Sequence, residues 1–291
     1  MKGIILAQQQ REDFLFPLAV RTARHLLPVY DKPLIYYPLS TLMLAGIREI
    51  MILGSRAGIR QLRACLADGS AWGIQISYQA VPSGTGLAEA LLAGAEFTRG
   101  CPVALISGEN IFHGKDLVDL LRGYAAIQNG AAFFASSVRD ACLYPVVELD
   151  PDDRPLQLYE PQTPAPITGY AVPGLYFYDA QATDKLTSLR NHTPARISIT
   201  RLNQIYQQAG NLQASIFGRG MAWLDVQTAD SLLQASNFIH VIQERQGVMI
   251  ACPEEIAYRL GYIDRTSLKR LTKRAQRNAY GQYLQRVLAE E

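Results

Sequence analysis

The sequence lacks the features that mark several classes of protein. Its four cysteines are far apart and form no CxxC pair, which argues against a zinc site or a disulfide framework. No apolar run reaches the roughly 20 residues that cross a bilayer, and charged residues 11–13 follow the first apolar run at once, unlike in a signal peptide. The net charge of +2 is too small to indicate nucleic acid or an anionic membrane as a partner. These absences predict a cytoplasmic protein with neither partner.

Glycine is missing from the place where an α/β protein commonly needs it. The apolar run 2–7 predicts a buried first strand, and such a strand usually leads into a glycine-rich phosphate loop. Here it leads into Gln8, Gln9, Gln10, Arg11, Glu12 and Asp13. Side chains crowd the approach of backbone N–H groups to phosphate. Each carboxylate at ~4 Å from a phosphate charge costs about 4 kcal/mol before screening, at an effective dielectric constant near 20. The sequence therefore predicts a surface loop that has lost its nucleotide.

The rest of the composition is that of a globular α/β protein, with 48% hydrophobic and 19% charged residues. Apolar, strand-like runs alternate with helical stretches through the first half, an order that favours a parallel sheet covered by helices. Strands dominate from Ala131 to Tyr178, which predicts an antiparallel or mixed extension, and the pattern beyond Thr228 is helical. We predict a core domain over residues 1–227 and a helical C-terminal extension over 228–291.

Ligands of open parallel sheets bind outside the carboxyl ends of the strands. Three predicted strands end in the loop after Ala7, the loop 81–86 and the segment 107–110. Asp225, after the strand-like run 221–224, is a fourth candidate. We expect these four places to meet at one edge of the sheet.

Several segments resemble bacterial glucose-1-phosphate thymidylyltransferase, and the resemblance covers nearly the whole chain. They are LLPVYDKP (26–33), YYPLSTLMLAGI (36–47), GLYFY (174–178), AWLD (222–225), ASNFI (235–239), ERQG (244–247) and ACPEEIAYR (251–259). The resemblance implies a Rossmann-like nucleotidyltransferase fold, usually a homotetramer, and a role in the dTDP-rhamnose pathway of polysaccharide biosynthesis. The family reaction joins dTTP to glucose 1-phosphate with Mg²⁺, giving dTDP-glucose and pyrophosphate.

The positions that the resemblance assigns to the family's active site depart from its pattern together. The loop glycines of GGSGTR are replaced by Gln8, Gln9 and Gln10, the thymine-reading glutamine by Val81, a glycine near the sugar by Pro145, the sugar-phosphate lysine by Pro161, and a glycine after the second metal aspartate by Gln227. Valine cannot hydrogen-bond a base edge, and proline removes a backbone donor. Arg24 stands in place of the family's lysine before LLP, and Arg11 in place of the loop arginine. His25 beside Arg24 is expected to be a packing or hydrogen-bonding histidine rather than a catalytic residue.

The two metal-binding aspartates of the family match Glu109 and Asp225. Carboxylate oxygens are suitable ligands for Mg²⁺. The extra methylene of Glu109 moves its carboxylate by roughly 1 Å, and such a displacement can lower a rate about a hundredfold. We predict Mg²⁺ here only when nucleotide binds, and the alternative is two polar residues at strand ends.

A second nucleotide site of the family, a regulatory pocket at a subunit interface, keeps more of its pattern. The matching positions are Leu44, Gly114, Arg219, Ala251, Glu255, Ile256 and Arg259, while Val118 and Asp119 depart. Two arginines that converge on a diphosphate form a suitable anion-binding site. The match therefore predicts dTDP-sugar or dTTP as a ligand. The same helices also build the subunit interface, and packing alone would account for these residue types.

Two functions are consistent with this sequence. The first is a catalytically inactive or severely impaired homologue, acting as an oligomeric regulatory or partner subunit, with itself (homodimer or homotetramer) or with an active paralogue. The second is an active sugar-1-phosphate nucleotidyltransferase with a rebuilt loop and altered specificity. The sequence favours the first, because loop, base reader and sugar clamp all depart at once and fold resemblance does not establish activity.

Overall fold

The structure, a computed structural model, describes residues 1–8, 14–161, 169–192, 197–274 and 277–290. Within these residues it contains fourteen strands and eleven α-helices. The strands are β1 (Lys2–Ala7), β2 (Pro28–Val29), β3 (Lys32–Pro33), β4 (Glu49–Gly54), β5 (Gln75–Ala80), β6 (Val103–Ser107), β7 (Asn110–His113), β8 (Ala131–Ala135), β9 (Val146–Leu149), β10 (Pro155–Tyr159), β11 (Tyr170–Ala171), β12 (Leu175–Tyr178), β13 (Leu212–Ile216) and β14 (Ala222–Asp225). The helices are α1 (Tyr36–Leu44), α2 (Arg56–Leu66), α3 (Leu87–Ala93), α4 (Ala95–Thr98), α5 (Leu117–Ala125), α6 (Ala182–His192), α7 (Ile199–Gln208), α8 (Ala229–Gln246), α9 (Pro253–Arg259), α10 (Arg265–Arg274) and α11 (Ala279–Ala289).

A seven-stranded sheet forms the centre of the fold, in the order β13-β8-β12-β6-β1-β4-β5. Strand β12 runs antiparallel to β6 and β8, and the other neighbouring pairs are parallel. This arrangement confirms the predicted Rossmann-like α/β class with a mixed, mostly parallel sheet. The antiparallel strand lies within the segment where the sequence predicted a mixed extension.

Apolar layers cover both faces of the sheet. Ile4 and Ile5 of β1 are completely buried and point to opposite faces, as alternation along a strand requires. Ile5 packs in a cluster that includes side chains of α1, α2 and α5, whereas Ile4 packs in one that includes α3, α6 and α7. Burial on both faces explains why β1 is a continuous apolar run.

Side-chain caps set the starts of two helices. Ser55 accepts a hydrogen bond from the Gly58 backbone N–H, 3.1 Å, so α2 begins at Arg56. Thr228 accepts from the Ser231 N–H, 3.1 Å, and begins α8 where the sequence predicts the helical extension. Helix α9 packs against α1, so the extension contacts the core closely. The division after residue 227 stays a prediction.

A small antiparallel pair beside the main sheet positions polar residues. Strand β14 pairs with β7, and Asp225 lies opposite Asn110. Next to this pair, the Val226 N–H donates to the Glu109 carbonyl oxygen, 3.0 Å. The pair therefore carries Asp225 to the end of β6, where Glu109 follows. Across the described ranges, we find no helix with the length and apolar character needed to cross a bilayer.

Candidate functional sites

The ends of β1 and β5 are joined by Gln8, the first residue of the departing loop. Gln8 is buried, and its Nε2 donates to the Pro82 carbonyl oxygen, directly after Val81. The Val81 side chain is half-buried against the apolar layer under α3. The Gly108 N–H donates to the Leu6 carbonyl oxygen, 2.9 Å, which brings the end of β6 to the same place. The predicted meeting of segments is therefore observed, while Gln9, Gln10 and Arg11 lie outside the described residues.

Arg24 lies inside the protein and is 2% exposed. Its Nη2 donates to the carbonyl oxygens of Val226, 3.3 Å, and Gln227, 3.2 Å. Its Nη1 lies 3.7 Å from Oε1 of Glu109. This guanidinium is held by the protein's own oxygens, so in this arrangement it does not project into a cleft towards a phosphate.

Glu109 and Asp225 form a neighbouring pair of carboxylates around this arginine. Glu109 is 6% exposed, and its Oε2 accepts from the Ser107 hydroxyl. Burial raises the pKa of Glu109, although Arg24 and Ser107 oppose the rise. Burial, and then the charge of Glu109, raise the pKa of Asp225 to about 7. Arg24, whose Nη1 lies 3.7 Å from Glu109 Oε1, is the counter-ion of this pair.

The arrangement does not fit a Mg²⁺ ion, which takes an octahedron of oxygen ligands at about 2.0–2.1 Å. The Glu109 oxygens face a guanidinium and a hydroxyl, and Asp225 Oδ2 accepts from Gln227 Nε2, 2.5 Å. A guanidinium this close to a ligand oxygen repels a second cation. In the described part of the chain no group of three or more His, Cys, Asp or Glu residues is arranged to hold a metal.

His25 fills the space beside Gly108. A Cβ placed on Gly108 would lie 2.6 Å from His25 Cδ2, so only glycine fits here without a shift. Burial, and then the charge of Arg24, lower the pKa of His25 to about 3, and the ring is neutral at pH 7. His25 therefore packs against Gly108 in this structure, with its Nε2 3.9 Å from Glu109 Oε1, and its role stays a prediction.

The predicted sugar side has two parts. The Pro145 carbonyl oxygen accepts from the Val172 N–H, 2.8 Å, just before β9, and the neighbouring Tyr144 ring packs edge-on against Trp223, 4.8 Å between centroids. Glu160, next to the exposed Pro161, accepts from the Ser198 hydroxyl. A groove of about 590 Å³ remains beside Glu160, lined also by residues of α3 and the start of α7.

A separate cavity of about 330 Å³ lies between α1, α5 and α9. Six of the seven predicted regulatory-pocket residues line it, namely Leu44, Gly114, Ala251, Glu255, Ile256 and Arg259. Arg219 does not line it, although the carbonyl oxygen of the next residue, Gly220, lies 2.9 Å from a Cβ built on Gly114. Val118, which departs from the family pattern, is also in the wall.

Polar residues that the sequence reasoning missed also line this cavity. Tyr37, Ser40, Thr41 and Leu44 lie on one face of α1, at the three- and four-residue spacing of a helix. Ser40 is buried, and its hydroxyl has no hydrogen-bond partner among the described residues. The helical spacing was the signal that could have identified this group once Leu44 was assigned to the pocket.

Arg259 at the cavity is held by two carboxylates. Its Nε donates to Glu255 Oε1 and its Nη2 to Glu290 Oε2, each at 2.7 Å. These bonds raise the pKa of Arg259 above its usual range. The Tyr283 hydroxyl donates to Glu255 Oε2, 2.5 Å. The arginine side chain is nevertheless 52% exposed, so it is accessible to a ligand.

Comparisons with known proteins agree on one family. The family model described as nucleotidyl transferase matches residues 3–241. The glucose-1-phosphate thymidylyltransferase of Xanthomonas campestris pv. campestris (strain B100) is 45% identical over 97% of this chain and 95% of its own. The protein of that name from Mycolicibacterium smegmatis is 44% identical over 100% of both chains. A solved Bacillus anthracis structure of the same name, in complex with a sucrose, superposes with a TM-score of 0.73 and 27% identity, over 82% of this chain and 94% of that one.

The sequence matches extend over nearly the full length, and the solved neighbour superposes over most of both chains. This chain therefore belongs to the nucleotidyl transferase family, as a member of the glucose-1-phosphate thymidylyltransferase family.

Proposed function

We propose that this chain is an inactive or severely impaired nucleotidyltransferase homologue that acts as an oligomeric regulatory or partner subunit in nucleotide-sugar metabolism. One observation carries the proposal: Arg24, where the family pattern has its lysine, is buried and bonded to Val226, Gln227 and Glu109. A phosphate would have to break a buried ion pair to reach it. Loss of one partner from such a pair typically costs about 3–5 kcal/mol.

The end of the loop supports the same conclusion. Gln8, after the end of β1, bonds the Pro82 carbonyl oxygen after the end of β5, at the edge of the sheet where the resemblance puts the nucleotide. Val81 offers this space an apolar side chain and no hydrogen-bonding group for a base. Nucleotide binding in the family's manner would require these contacts to be exchanged for others.

The regulatory cavity supports retained binding without turnover. Its volume of about 330 Å³ falls within the usual range for small-molecule sites, about 300–1,000 Å³. Its walls are mostly apolar, and Arg259 supplies a cation for a phosphate. We propose dTDP-sugar or dTTP as the ligand, and a homodimer, a homotetramer or a complex with an active paralogue as the assembly. The described thiols Cys65, Cys101 and Cys252 are free, which suits a reducing cytoplasm.

One observation favours the alternative, an active enzyme with a rebuilt loop. Glu109 and Asp225 lie side by side at the strand ends, and a groove of about 590 Å³ is open on the predicted sugar side. If nucleotide drew Arg24 away, Mg²⁺ would have two carboxylates to bind, with Arg24 and Arg11 on phosphate.

Calorimetry and an assay for pyrophosphate release separate these functions. Titrations would use dTTP with Mg²⁺, dTDP-glucose and dTDP-rhamnose, and the assay dTTP with glucose 1-phosphate. We expect no pyrophosphate above background. We also expect the chain to bind a dTDP-sugar or dTTP, and Arg259→Ala to abolish that binding. Arg99→Ala, which removes another exposed ion pair, should leave it unchanged. Turnover that Asp225→Asn abolishes would overturn the proposal.

A further inference from the structure

The C-terminal helix α11 and the residue that follows it form hydrogen bonds to the two charged residues of the cavity wall. Tyr283 of α11 bonds Glu255, and Glu290, directly after the helix, bonds Arg259. Both Glu255 and Arg259 line the cavity on α9. The cation that a ligand would use is thus already paired with a residue 31 positions away in sequence.

We propose that Glu290 is a built-in competitor for the anionic ligand of this cavity, so that ligand phosphate and the end of α11 exclude each other at Arg259. This inference rests on the proposed function, because it requires an anion to bind there. The ligand class is a phosphate-bearing molecule with an apolar or planar body, matched to the apolar walls.

The charges around the cavity lead to this conclusion. Among its described lining residues, Arg259 is the one Lys or Arg, and burial lowers the pKa of His113, which keeps that ring neutral at pH 7. With Glu255 and Glu290 both on the guanidinium, the local charge is already negative. An anion would be repelled unless one carboxylate leaves.

Glu290 is the carboxylate that can leave. Its side chain is 59% exposed and follows the last turn of α11, where a change of rotamer brings it into water. Glu255 is 13% exposed, lies within α9, and is also bonded by Tyr283. Displacement of Glu290 therefore breaks one exposed contact, whereas displacement of Glu255 would disturb the packing of two helices.

An exposed ion pair such as that of Arg259 with Glu290 contributes little free energy, so its loss should change the affinity for an anion only modestly. Removing the competing charge is expected to tighten anion binding about two- to fivefold. Coupling between two equilibria is reciprocal. A ligand that displaces Glu290 must therefore loosen the last turn of α11 by the same factor.

The test is calorimetric titration of dTDP-glucose into the full chain and into Glu290→Gln, with hydrogen exchange over residues 286–290. Glu96→Gln is the matched control, because Glu96 forms an exposed ion pair with Arg99 on the surface of α4. We expect Glu290→Gln to lower Kd about threefold and Glu96→Gln to leave it unchanged. Ligand should speed exchange at the end of α11 in the unaltered chain and have little effect on it in Glu290→Gln.

Several outcomes would overturn the inference. An unchanged or weaker affinity in Glu290→Gln would show that Glu290 does not compete. Slower exchange at the end of α11 on binding would show a helix that closes over the ligand. If dTDP-glucose binds none of the variants up to millimolar concentration, both the inference and the proposed use of the cavity fail. If dTDP-glucose binds the unaltered chain but binds Glu290→Gln no more tightly, the inference fails while the proposed use of the cavity stands.

Discussion

The two candidate sites each contain an arginine bound to a glutamate, and they differ in what surrounds the pair. Arg24 is 2% exposed and bonds Glu109 and two carbonyl oxygens. The Arg259 side chain, in contrast, is 52% exposed and bonds Glu255 of α9 and Glu290 just after α11. The same residue type is a buried counter-ion in one place and a solvent-accessible cation in the other. Burial and existing partners decide whether a cation can serve a ligand.

Removal of each arginine gives the largest expected contrast. Arg24→Met leaves Glu109 buried without its cation, and we expect the free energy of unfolding to fall by about 3–5 kcal/mol. Arg259→Met removes exposed contacts and should cost less than about 1 kcal/mol. Urea unfolding monitored by circular dichroism measures both.

The double variant Arg24→Met/Glu109→Gln checks the cause of that loss. It should recover part of the stability, because the uncompensated carboxylate is gone. If Arg24→Met and Arg259→Met lowered the free energy of unfolding equally, the two arginines would not differ in their structural role.

The pH dependence that Asp225 of the buried site gives to stability comes next in size. Asp225 has a pKa of about 7 in the folded protein against an ordinary 3.8, so the folded state holds the proton more tightly. Between these values the unfolded state loses its proton first, so the Asp225 contribution to the free energy of unfolding falls as pH rises from about 4 to about 7. His25, whose pKa is lowered to about 3, contributes in the opposite direction below its ordinary 6.5, and the comparison with Asp225→Asn removes that shared contribution. The limit is 1.36 kcal/mol per unit, and because Glu109 is coupled to Asp225 we expect about 2 kcal/mol in all.

Asp225→Asn should remove that dependence. The comparison is the difference in free energy of unfolding between the unaltered chain and Asp225→Asn, measured in urea at intervals from pH 4 to pH 8. It should move in favour of the variant as pH rises. A difference that stays constant across this range would mean that Asp225 is not a buried, coupled carboxylate.

Packing gives a smaller contrast between the same two regions. Gly108→Ala places a Cβ 2.6 Å from His25 Cδ2 and 3.0 Å from the Leu6 carbonyl oxygen, and such overpacking costs about 1–3 kcal/mol. Gly123 lies within α5, a helix whose first residues line the cavity, and a Cβ there meets nothing within 4 Å. Gly123→Ala should stabilise by about 0.5–1 kcal/mol.

Thermal unfolding of the two alanine variants measures this contrast. Adding His25→Ala to Gly108→Ala should recover stability if the clash with the ring is the cause. A neutral Gly108→Ala would show that the buried site is loosely packed.

The sequence predicted the central sheet and its helices, but it did not predict the contacts of the side chains at the two sites. The apolar run of β1 and its alternation with helices predict the sheet, because both signals are local. The resemblance matches Arg24 to the lysine before the LLP motif, but the direction of its side chain depends on carbonyl oxygens about 200 residues later. The pairing of Arg259 with Glu290 likewise joins positions whose proximity no local pattern encodes. Six residues of the cavity were found because the resemblance supplied them as a set.

The smallest change in stability is expected on removal of the Ser40 hydroxyl, which lies in the wall of the cavity. In the buried site the charged groups of Arg24, Glu109 and Asp225 are held by partners, although Arg24 Nε, His25 Nε2 and Gln8 Oε1 have no hydrogen-bond partner among the described residues. Removing one of these charges should therefore destabilise the fold. Ser40 Oγ faces the cavity wall without a described partner, and Ser40→Ala should raise the free energy of unfolding by about 0.5–1 kcal/mol. Thr41→Val is the control, since Thr41 Oγ1 donates to the Tyr37 carbonyl oxygen, 3.0 Å, and loses that bond.

If the cavity serves a ligand, the same Ser40→Ala change should weaken dTDP-glucose binding measured by calorimetry. A gain in stability joined to a loss in affinity means that the hydroxyl is kept unpaired in the fold and paired by the ligand. A loss of stability in Ser40→Ala would mean that the hydroxyl already has a partner in the free protein. The cavity would then resemble the buried site, with polar groups that serve the fold alone.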